Sequence, residues 1–192
     1  MELKGEKRIA ASREKVYEAL NDPEVLKNSI PGCQTLNKKS DTGFEATVVI
    51  KIGPVKANFK GEVELSDLNP PENYTISGEG KGGTAGHARG SAKVVLIEDG
   101  DGTILNYDVD AVVGGKLAQL GARLIDSTAK KLAQQFFSKF GEIVEGQDKI
   151  NAKSAETSSD GKKTVSLSKS SSSVLWWVIG AAVAILAVVY FY

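Results

Sequence analysis

One long amphipathic stretch, Gly115 to Gly146, constrains the fold more than any other part of the chain. Its large apolar residues recur at intervals that are sums of three and four, which places them along one stripe of a helix. They are Leu117, Leu120, Leu124, Leu132, Phe136, Phe140 and Ile143. We predict a single helix of about 30 residues and about 45 Å. An apolar stripe of that length needs a large partner surface to cover it.

The hundred residues before this stretch alternate between apolar and polar positions, as strands with one buried and one solvated face do. The clearest hairpin turns at Gly53-Pro54, with Phe44 to Ile52 before the turn and Val55 to Leu65 after it. A first strand over residues 3–10, a short strand over 34–38 and three later strands complete a predicted total of about seven.

Two short helices are predicted between the first two strands. Ser12 and Asp22 are typical N-cap residues, and Pro23 follows Asp22 at the first helical position. This order of elements predicts an α+β chain in which a curved antiparallel sheet wraps around the long C-terminal helix.

Many sheet positions that should face the long helix carry small side chains: Ala57, Gly61, Gly78, Gly80, Ala88, Gly90 and Ala92. A sheet that packs solidly on a helix would need larger residues there to reach the usual density of protein interiors. We therefore predict an elongated, mostly apolar cavity that suits a small hydrophobic molecule. The alternative is that the glycines permit strand curvature over a tightly packed helix.

The candidate ligand contacts are apolar and aromatic residues predicted to face this cavity. They are Ile30, Phe59, Val63, Tyr74, Ile76, Ala88, Ala92, Tyr107, Leu117, Leu120 and Leu124. No acid, base and nucleophile cluster faces inward with them, so we predict no catalytic residue.

The C-terminal segment, Val174 to Tyr192, is nineteen residues without a charge. As a helix it would reach about 28 Å, close to the thickness of a bilayer's hydrocarbon core. Aromatic residues stand near both of its ends, as at the two interfaces of a membrane: Trp176, Trp177, Tyr190 and Tyr192. We predict a single-pass transmembrane anchor. The alternative is a buried helix of the globular part. It fits less well because a segment that is apolar on all sides has no polar face to expose to water.

Three parts of the chain follow from this composition. Residues 1–146 form the predicted globular, ligand-binding domain, residues 147–173 a flexible linker rich in Ser and Lys, and residues 174–192 the anchor. The domain has 19 basic and 21 acidic residues, a net charge of −2 that predicts no general attraction to anionic lipid.

The predicted location is the cell membrane, with the globular domain in the cytoplasm. The N-terminus lacks the apolar region of a secretory signal. Three lysines precede the anchor and keep that side cytoplasmic by the positive-inside rule: Lys162, Lys163 and Lys169.

Several classes of site are disfavoured. Cys33 is the only cysteine and His87 the only histidine, so a zinc site built from repeated Cys and His ligands is excluded. Basic residues do not cluster among aromatics, so no nucleic-acid partner is expected. Residues 78–83 match a dinucleotide fingerprint, but strand alternation resumes where that motif needs a helix. Asp108 and Asp110 alternate with apolar residues and should be solvated rather than catalytic.

The order of elements resembles the helix-grip fold of the START and Bet v 1 (SRPBCC) superfamily, and five local motifs resemble the CoxG family of carbon monoxide dehydrogenase subunits. The motifs are Asp22-Pro23-Glu24, Ile30-Pro31-Gly32-Cys33, Gly53-Pro54-Val55, Gly102-Thr103 and the stretch from Gly114 to Arg123. The resemblance covers about residues 1–145. It implies an accessory protein without catalytic residues that recruits a molybdenum hydroxylase, such as carbon monoxide dehydrogenase, to the membrane.

Three functional hypotheses remain. The first is an anchored carrier that binds a quinone or another membrane lipid in the cavity and links the dehydrogenase to the quinone pool; no cofactor is expected beyond such a bound molecule. The second is a recruitment module without a ligand. The third is an enzyme, because helix-grip folds also host cyclases and hydratases.

Overall fold

The described part of the chain contains seven β-strands and three α-helices. The computed structural model describes the backbone of residues 1–156 and the side chains of residues 1–146. The elements are β1 (Glu2–Ile9), α1 (Arg13–Ala19), α2 (Pro23–Ser29), β2 (Cys33–Lys38), β3 (Gly43–Ile52), β4 (Val55–Asn69), β5 (Asn73–Lys81), β6 (His87–Asp99), β7 (Gly102–Gly114) and α3 (Ala122–Glu156). Short 3₁₀ turns at Gly83–Ala85 and Ala118–Leu120 precede β6 and α3.

The seven strands form one antiparallel sheet in the order β1-β7-β6-β5-β4-β3-β2. Strands β2 to β7 lie side by side in the order of the sequence. The first strand, β1, pairs with β7 along its whole length and forms the edge of the sheet. The predicted architecture of about seven antiparallel strands with a long C-terminal helix, the helix-grip arrangement, is confirmed for the described residues.

The two short helices begin where their caps predict. The Asp22 carboxylate accepts hydrogen bonds from the backbone N–H groups of Glu24 (2.7 Å) and Val25 (3.1 Å). The Ser12 hydroxyl accepts one from the N–H of Lys15 at 3.5 Å. Each cap satisfies donors that the first helical turn leaves free, and so fixes where the chain turns back toward the sheet.

The main hydrophobic cluster, called the packed core below, joins the two short helices, the middle of α3 and one end of the sheet. Ile9, Val16 and Phe140 are completely buried in it, and Leu105 is 1% exposed. Phe136 stacks on Phe140 with ring centroids 5.6 Å apart. The buried Thr103 hydroxyl donates to the Ala11 carbonyl oxygen at 2.8 Å and ties β7 to the start of α1.

The long helix differs from its predicted bounds, Gly115 to Gly146, at both ends. It begins at Ala122 because Gly115 and Gly121 have φ angles of +75° and +86°, which a right-handed helix cannot contain. The prediction was therefore wrong in placing Leu117 and Leu120 on the helix. At the other end α3 continues to Glu156, so the first ten residues assigned to a flexible linker are helical.

The remaining C-terminal predictions lie outside the described residues. They concern the rest of the linker, the anchor over 174–192 and the four aromatic residues within it. Within the described part of the chain, no helix has the length and apolar composition needed to cross a bilayer.

Candidate functional site

The sheet register brings the predicted small residues together on the face that turns toward α3. Ala46 pairs with Gly61, Gly61 with Gly80, and Gly80 with Ala88, so these four positions form one row across β3, β4, β5 and β6. The adjacent row contains Gly78 opposite Gly90. Two neighbouring rows almost free of large side chains therefore form a floor on the inner face of the sheet.

The glycines in these rows have two different structural roles. A Cβ added at Gly78 would lie 2.6 Å from the Glu62 carbonyl oxygen, and one at Gly90 would collide with the backbone of β7. These two glycines let the strands curve closely past one another, as the alternative interpretation proposed. At Gly61 and Gly80, by contrast, an added Cβ would meet only a carbonyl oxygen of a neighbouring strand, at 3.5 and 3.9 Å.

Open space therefore lies above Gly61 and Gly80, since no described side chain comes within 4 Å of those added atoms. The backbone of α3 runs close to α2 and β1 and stays farther from the central strands β4, β5 and β6. We call the space between these strands and α3 the hollow.

A second hydrophobic cluster, the tip cluster, closes the end of the hollow opposite the packed core. Phe59, Ala85 and Leu117 are buried in it, and Ile50, Ile52, Val55, Ala57, Val113 and Leu120 pack around them. Several inward-facing apolar residues belong to neither cluster, and none of them is fully buried: Val48, Val63, Ala88, Ala92, Val109, Ala111, Ile125 and Leu132. The hollow is thus lined by apolar side chains that protein atoms cover incompletely.

The predicted ligand contacts fall into three groups. Tyr74, Ile30, Ile76 and Tyr107 belong to the packed core or lie against it. Phe59, Leu117 and Leu120 belong to the tip cluster. Val63, Ala88, Ala92 and Leu124 belong to neither cluster. Val63 is 37% exposed, and Leu124 lies beside the turn at Gly53. The predicted contacts thus lie at both ends of the hollow and along its floor.

Phe137 was not included in the predicted apolar stripe of α3. The stripe included Leu124, which lies near the edge of the inner face of the helix, so the predicted face was displaced from its true centre. Phe137 stacks on Tyr107 with ring centroids 5.0 Å apart and packs edge-on against Phe136 at the same distance. The signal in the sequence was the close spacing of three phenylalanines at 136, 137 and 140, which widens the apolar face beyond a single row.

One buried polar group on α3 lacks a partner within the described part of the chain. One carboxylate oxygen of Asp126 (Oδ1) is buried and has no hydrogen-bond partner among the described residues. By helical geometry Asp126 shares a side of α3 with Ala129 and Ala133. A buried acceptor without a partner carries a cost, which a ligand hydroxyl could relieve by donating to it.

The titratable aromatic residues belong to the packed core and not to the hollow. Burial raises the pKa of Tyr74 far above its ordinary value, and the neighbouring Tyr17 adds to this effect. Burial also raises the pKa of Tyr17, whose ring packs edge-on against Tyr74 at 5.8 Å. Both phenols stay protonated at neutral pH. In the described part of the chain no group of three or more His, Cys, Asp or Glu could hold a metal ion.

The outer face of the sheet carries a separate open groove of about 690 Å³. The backbone of Val63, Gly78, Gly90 and Ala111 forms its floor, and outward side chains such as Glu64, Glu79, Arg89 and Asp110 surround it. Four of its twelve lining residues are acidic and one is basic, so charged side chains surround the open space. This groove therefore does not resemble the predicted apolar site.

The dinucleotide-like motif and the two aspartates of β7 behave as expected. Residues 78–83 end β5 and turn into β6 through the 3₁₀ turn, without the helix that a dinucleotide fingerprint requires. His87 is exposed. Asp108 and Asp110 are exposed on the outer face, and Asp108 forms an ion pair with Lys4 at 2.7 Å. The half-buried Cys33 thiol lies 3.4 Å from the Thr35 carbonyl oxygen, and burial raises the pKa of this thiol.

Comparison with models of protein families identifies the family of this chain. The model of the CoxG family of carbon monoxide dehydrogenase subunits matches residues 5–145, well over half of the chain. The chain belongs to the CoxG family. Comparison of this CoxG chain with curated protein sequences gives no significant match.

Solved structures support the fold of this CoxG domain. A conserved protein from Geobacillus kaustophilus is 29% identical, with a TM-score of 0.72 over 76% of this chain and 96% of the other. A START superfamily protein from Mycobacterium smegmatis is 14% identical, with a TM-score of 0.58 over 76% and 98%. An aromatase/cyclase from Streptomyces sp. R1128 is 10% identical, with a TM-score of 0.53 over 76% and 93%. The last two show the fold alone.

Proposed function

We propose that this protein is a membrane-anchored accessory protein that binds a small hydrophobic molecule, a quinone, in the hollow. In this role it links a molybdenum hydroxylase of the carbon monoxide dehydrogenase type to the membrane and its quinone pool. The observation that carries the proposal is the open space above Gly61 and Gly80, at the floor of an apolar hollow.

Three further features support this function. The family name connects the chain with carbon monoxide dehydrogenase. The lining is apolar and incompletely covered, which favours a ligand that is itself apolar. The uncharged segment at 174–192 has the length and composition of a bilayer anchor, which would hold the domain beside the pool of lipid-soluble electron carriers.

The ligand can be tested by native mass spectrometry of the full chain purified from its own membranes. We expect a bound molecule whose mass matches a quinone of the host. Gly61→Leu should remove it, because the new side chain would occupy the open space without a backbone collision. A folded wild-type protein that carries no small molecule would contradict the proposal.

Lys60→Leu is the matched control for this substitution. Lys60 is the preceding residue of β4, is exposed, and points to the outer face. This variant introduces the same side chain on the same strand, so it should retain the bound molecule. Loss of the ligand in both variants would show that the effect comes from the strand and not from the hollow.

A recruitment module without a ligand is the second candidate. It is favoured by the packed core, because protein side chains fill one end of the space between sheet and helices. Ala92→Trp would fill the hollow from the floor, between Ile76 and Val109 in the register. If this variant still captured the dehydrogenase and supported full electron transfer to quinone, the recruitment function would replace the carrier function.

An enzymatic role has less support. The similarity to an aromatase/cyclase shows a shared fold at 10% identity and nothing about chemistry. Among the described residues, no base or nucleophile forms a hydrogen bond with the buried carboxylate oxygen of Asp126. The two phenols of raised pKa, Tyr17 and Tyr74, pack against each other in the core.

A further inference from the structure

Three connections meet at the end of the molecule that the tip cluster closes. They are residues 50–57 around the β3–β4 turn, residues 80–88 between β5 and β6, and residues 113–125 between β7 and α3. We call them together the tip. The Leu117 N–H donates to the Ala85 carbonyl oxygen at 3.0 Å, and Leu124 lies against the turn at Gly53. The three connections therefore form one continuous surface around the end of the hollow.

The charge of the tip differs in sign from that of the rest of the domain. Its thirty residues include five basic residues and no Asp or Glu: Lys51, Lys56, Lys81, Lys116 and Arg123. The other residues of the 1–146 domain carry 14 basic and 21 acidic side chains, a net charge of −7. The net charge of −2 for the whole domain therefore conceals a strongly uneven distribution.

The cations of the tip are available to a partner. All five are exposed. Lys81 forms an ion pair with Glu79 at 2.6 Å, whereas the other four have no ion pair within the described part of the chain. The N-terminus of α3 also lies at the tip, where its free N–H groups add positive potential.

Apolar side chains accompany these charges. Ile52, Val55 and Leu120 lie at the tip and are only partly buried. A bilayer surface of anionic lipids offers phosphate charges for Lys and Arg and an acyl boundary for partly exposed apolar groups. A soluble anion would engage the charges but leave the apolar residues in water.

We propose that the tip is a docking surface for an anionic lipid bilayer, and that docking turns the end of the hollow toward the membrane. The acidic remainder of the domain is repelled by the same surface, which fixes the orientation of the docked domain. Docking through charge does not depend on whether the hollow binds a ligand. Exchange of a molecule with the membrane, by contrast, rests on the proposed function.

Vesicle binding of the Met1–Glu156 domain tests the proposal. This segment is one compact unit, and solved proteins of the same fold consist almost entirely of it, so it folds alone. We expect it to sediment with vesicles of phosphatidylglycerol and phosphatidylcholine in equal parts, and not with phosphatidylcholine alone. Binding should weaken as salt is added. Absence of sedimentation with the anionic vesicles at low salt would overturn the proposal.

Two double variants of equal charge separate the tip from net charge. Each basic residue near an anionic surface contributes about fivefold in affinity, so Lys51→Glu with Lys56→Glu should weaken binding at least tenfold. Lys7→Glu with Lys93→Glu changes the net charge equally, on exposed positions away from the tip, and should change binding less than twofold. An equal loss in both would overturn a localised surface.

The same variants distinguish the membrane from a protein partner. If the tip variant bound anionic vesicles normally but no longer captured the dehydrogenase, the tip would be a protein-docking surface and the proposal would be wrong. Gly61→Leu should leave vesicle binding unchanged. Failure of ligand binding and failure of docking therefore give different results.

Discussion

The two ends of the sheet use the same backbone architecture for different purposes. At the packed core, large side chains such as Ile9, Leu105 and Phe140 are buried completely or almost completely against α1, α2 and α3. Toward the tip, the inner face carries rows of glycine and alanine, and the apolar residues around them remain partly exposed. One end is filled with protein atoms, and the other keeps open space above Gly61 and Gly80, closed at the tip by a small cluster.

This difference indicates where the stability of the domain comes from. Burial of apolar surface contributes about 25 cal/mol per Å², and most of that burial occurs in the packed core. A hollow costs stability because its lining lacks contacts. The fold can sustain a hollow because the packed core is concentrated at the other end, where four elements converge.

The largest effect should come from emptying the packed core. Phe140→Ala removes a completely buried ring and should lower the free energy of unfolding by about 3–5 kcal/mol. Urea denaturation of the Met1–Glu156 domain would measure this loss. The matched change at the other end, Leu132→Ala, removes a half-buried residue and should cost clearly less. Equal losses would mean that both ends are packed alike.

A smaller effect should distinguish the two kinds of glycine. Gly78→Ala forces a Cβ to within 2.6 Å of the Glu62 carbonyl oxygen and should destabilise the domain by about 1–3 kcal/mol. Gly61→Ala meets nothing closer than 3.5 Å and should be neutral or stabilise by up to about 1 kcal/mol, because it restricts the unfolded chain. Thermal unfolding of both variants provides the comparison, and a reversed order would show that the hollow is filled.

The stacked pair Tyr107 and Phe137 marks the boundary between the two ends. Such a pair contributes about 0.5–1.5 kcal/mol beyond its buried area. A double-mutant cycle with Tyr107→Leu and Phe137→Leu should recover a coupling energy in this range from denaturation curves. Additive effects would indicate that the rings do not interact in solution.

The smallest effect concerns reactivity and not stability. Because burial raises the pKa of the Cys33 thiol, its thiolate should be scarce at neutral pH, and alkylation should be slower than for an exposed cysteine. The alkylation rate of the folded protein should still increase with pH in the range where the alkylation rate of an unburied thiol no longer changes. The urea-unfolded chain provides the reference, and a folded rate equal to it would contradict the burial.

The sequence predicted the sheet well because strand alternation and turn residues act locally. The turn at Gly53-Pro54 and the caps Ser12 and Asp22 lie where their chemistry requires. The position of the small residues on one face also followed from period-two alternation, since Gly61, Gly80 and Ala88 come together in the register.

The errors arose where tertiary packing selects among local possibilities. An apolar period near 3.6 runs from Leu117 into α3, but the positive φ angles of Gly115 and Gly121 break the chain into a turn before the helix. The sequence shows that Phe137 is apolar but not which way it points. Only its contact with Tyr107 shows that it faces inward. The two roles of the glycines could not be separated either, because a close approach between strands is invisible to a one-dimensional pattern.

The extension of α3 beyond the packed core has a geometric consequence. Among the residues whose side chains are described, Val144 is the last one of α3 that the core buries, and the helix continues for twelve residues to Glu156. These twelve residues form a helical arm of about 18 Å. Each residue inserted into it or deleted from it would turn the departing chain by about 100° around the helix axis. The direction in which the chain leaves the domain is thus set by arm length, residue by residue.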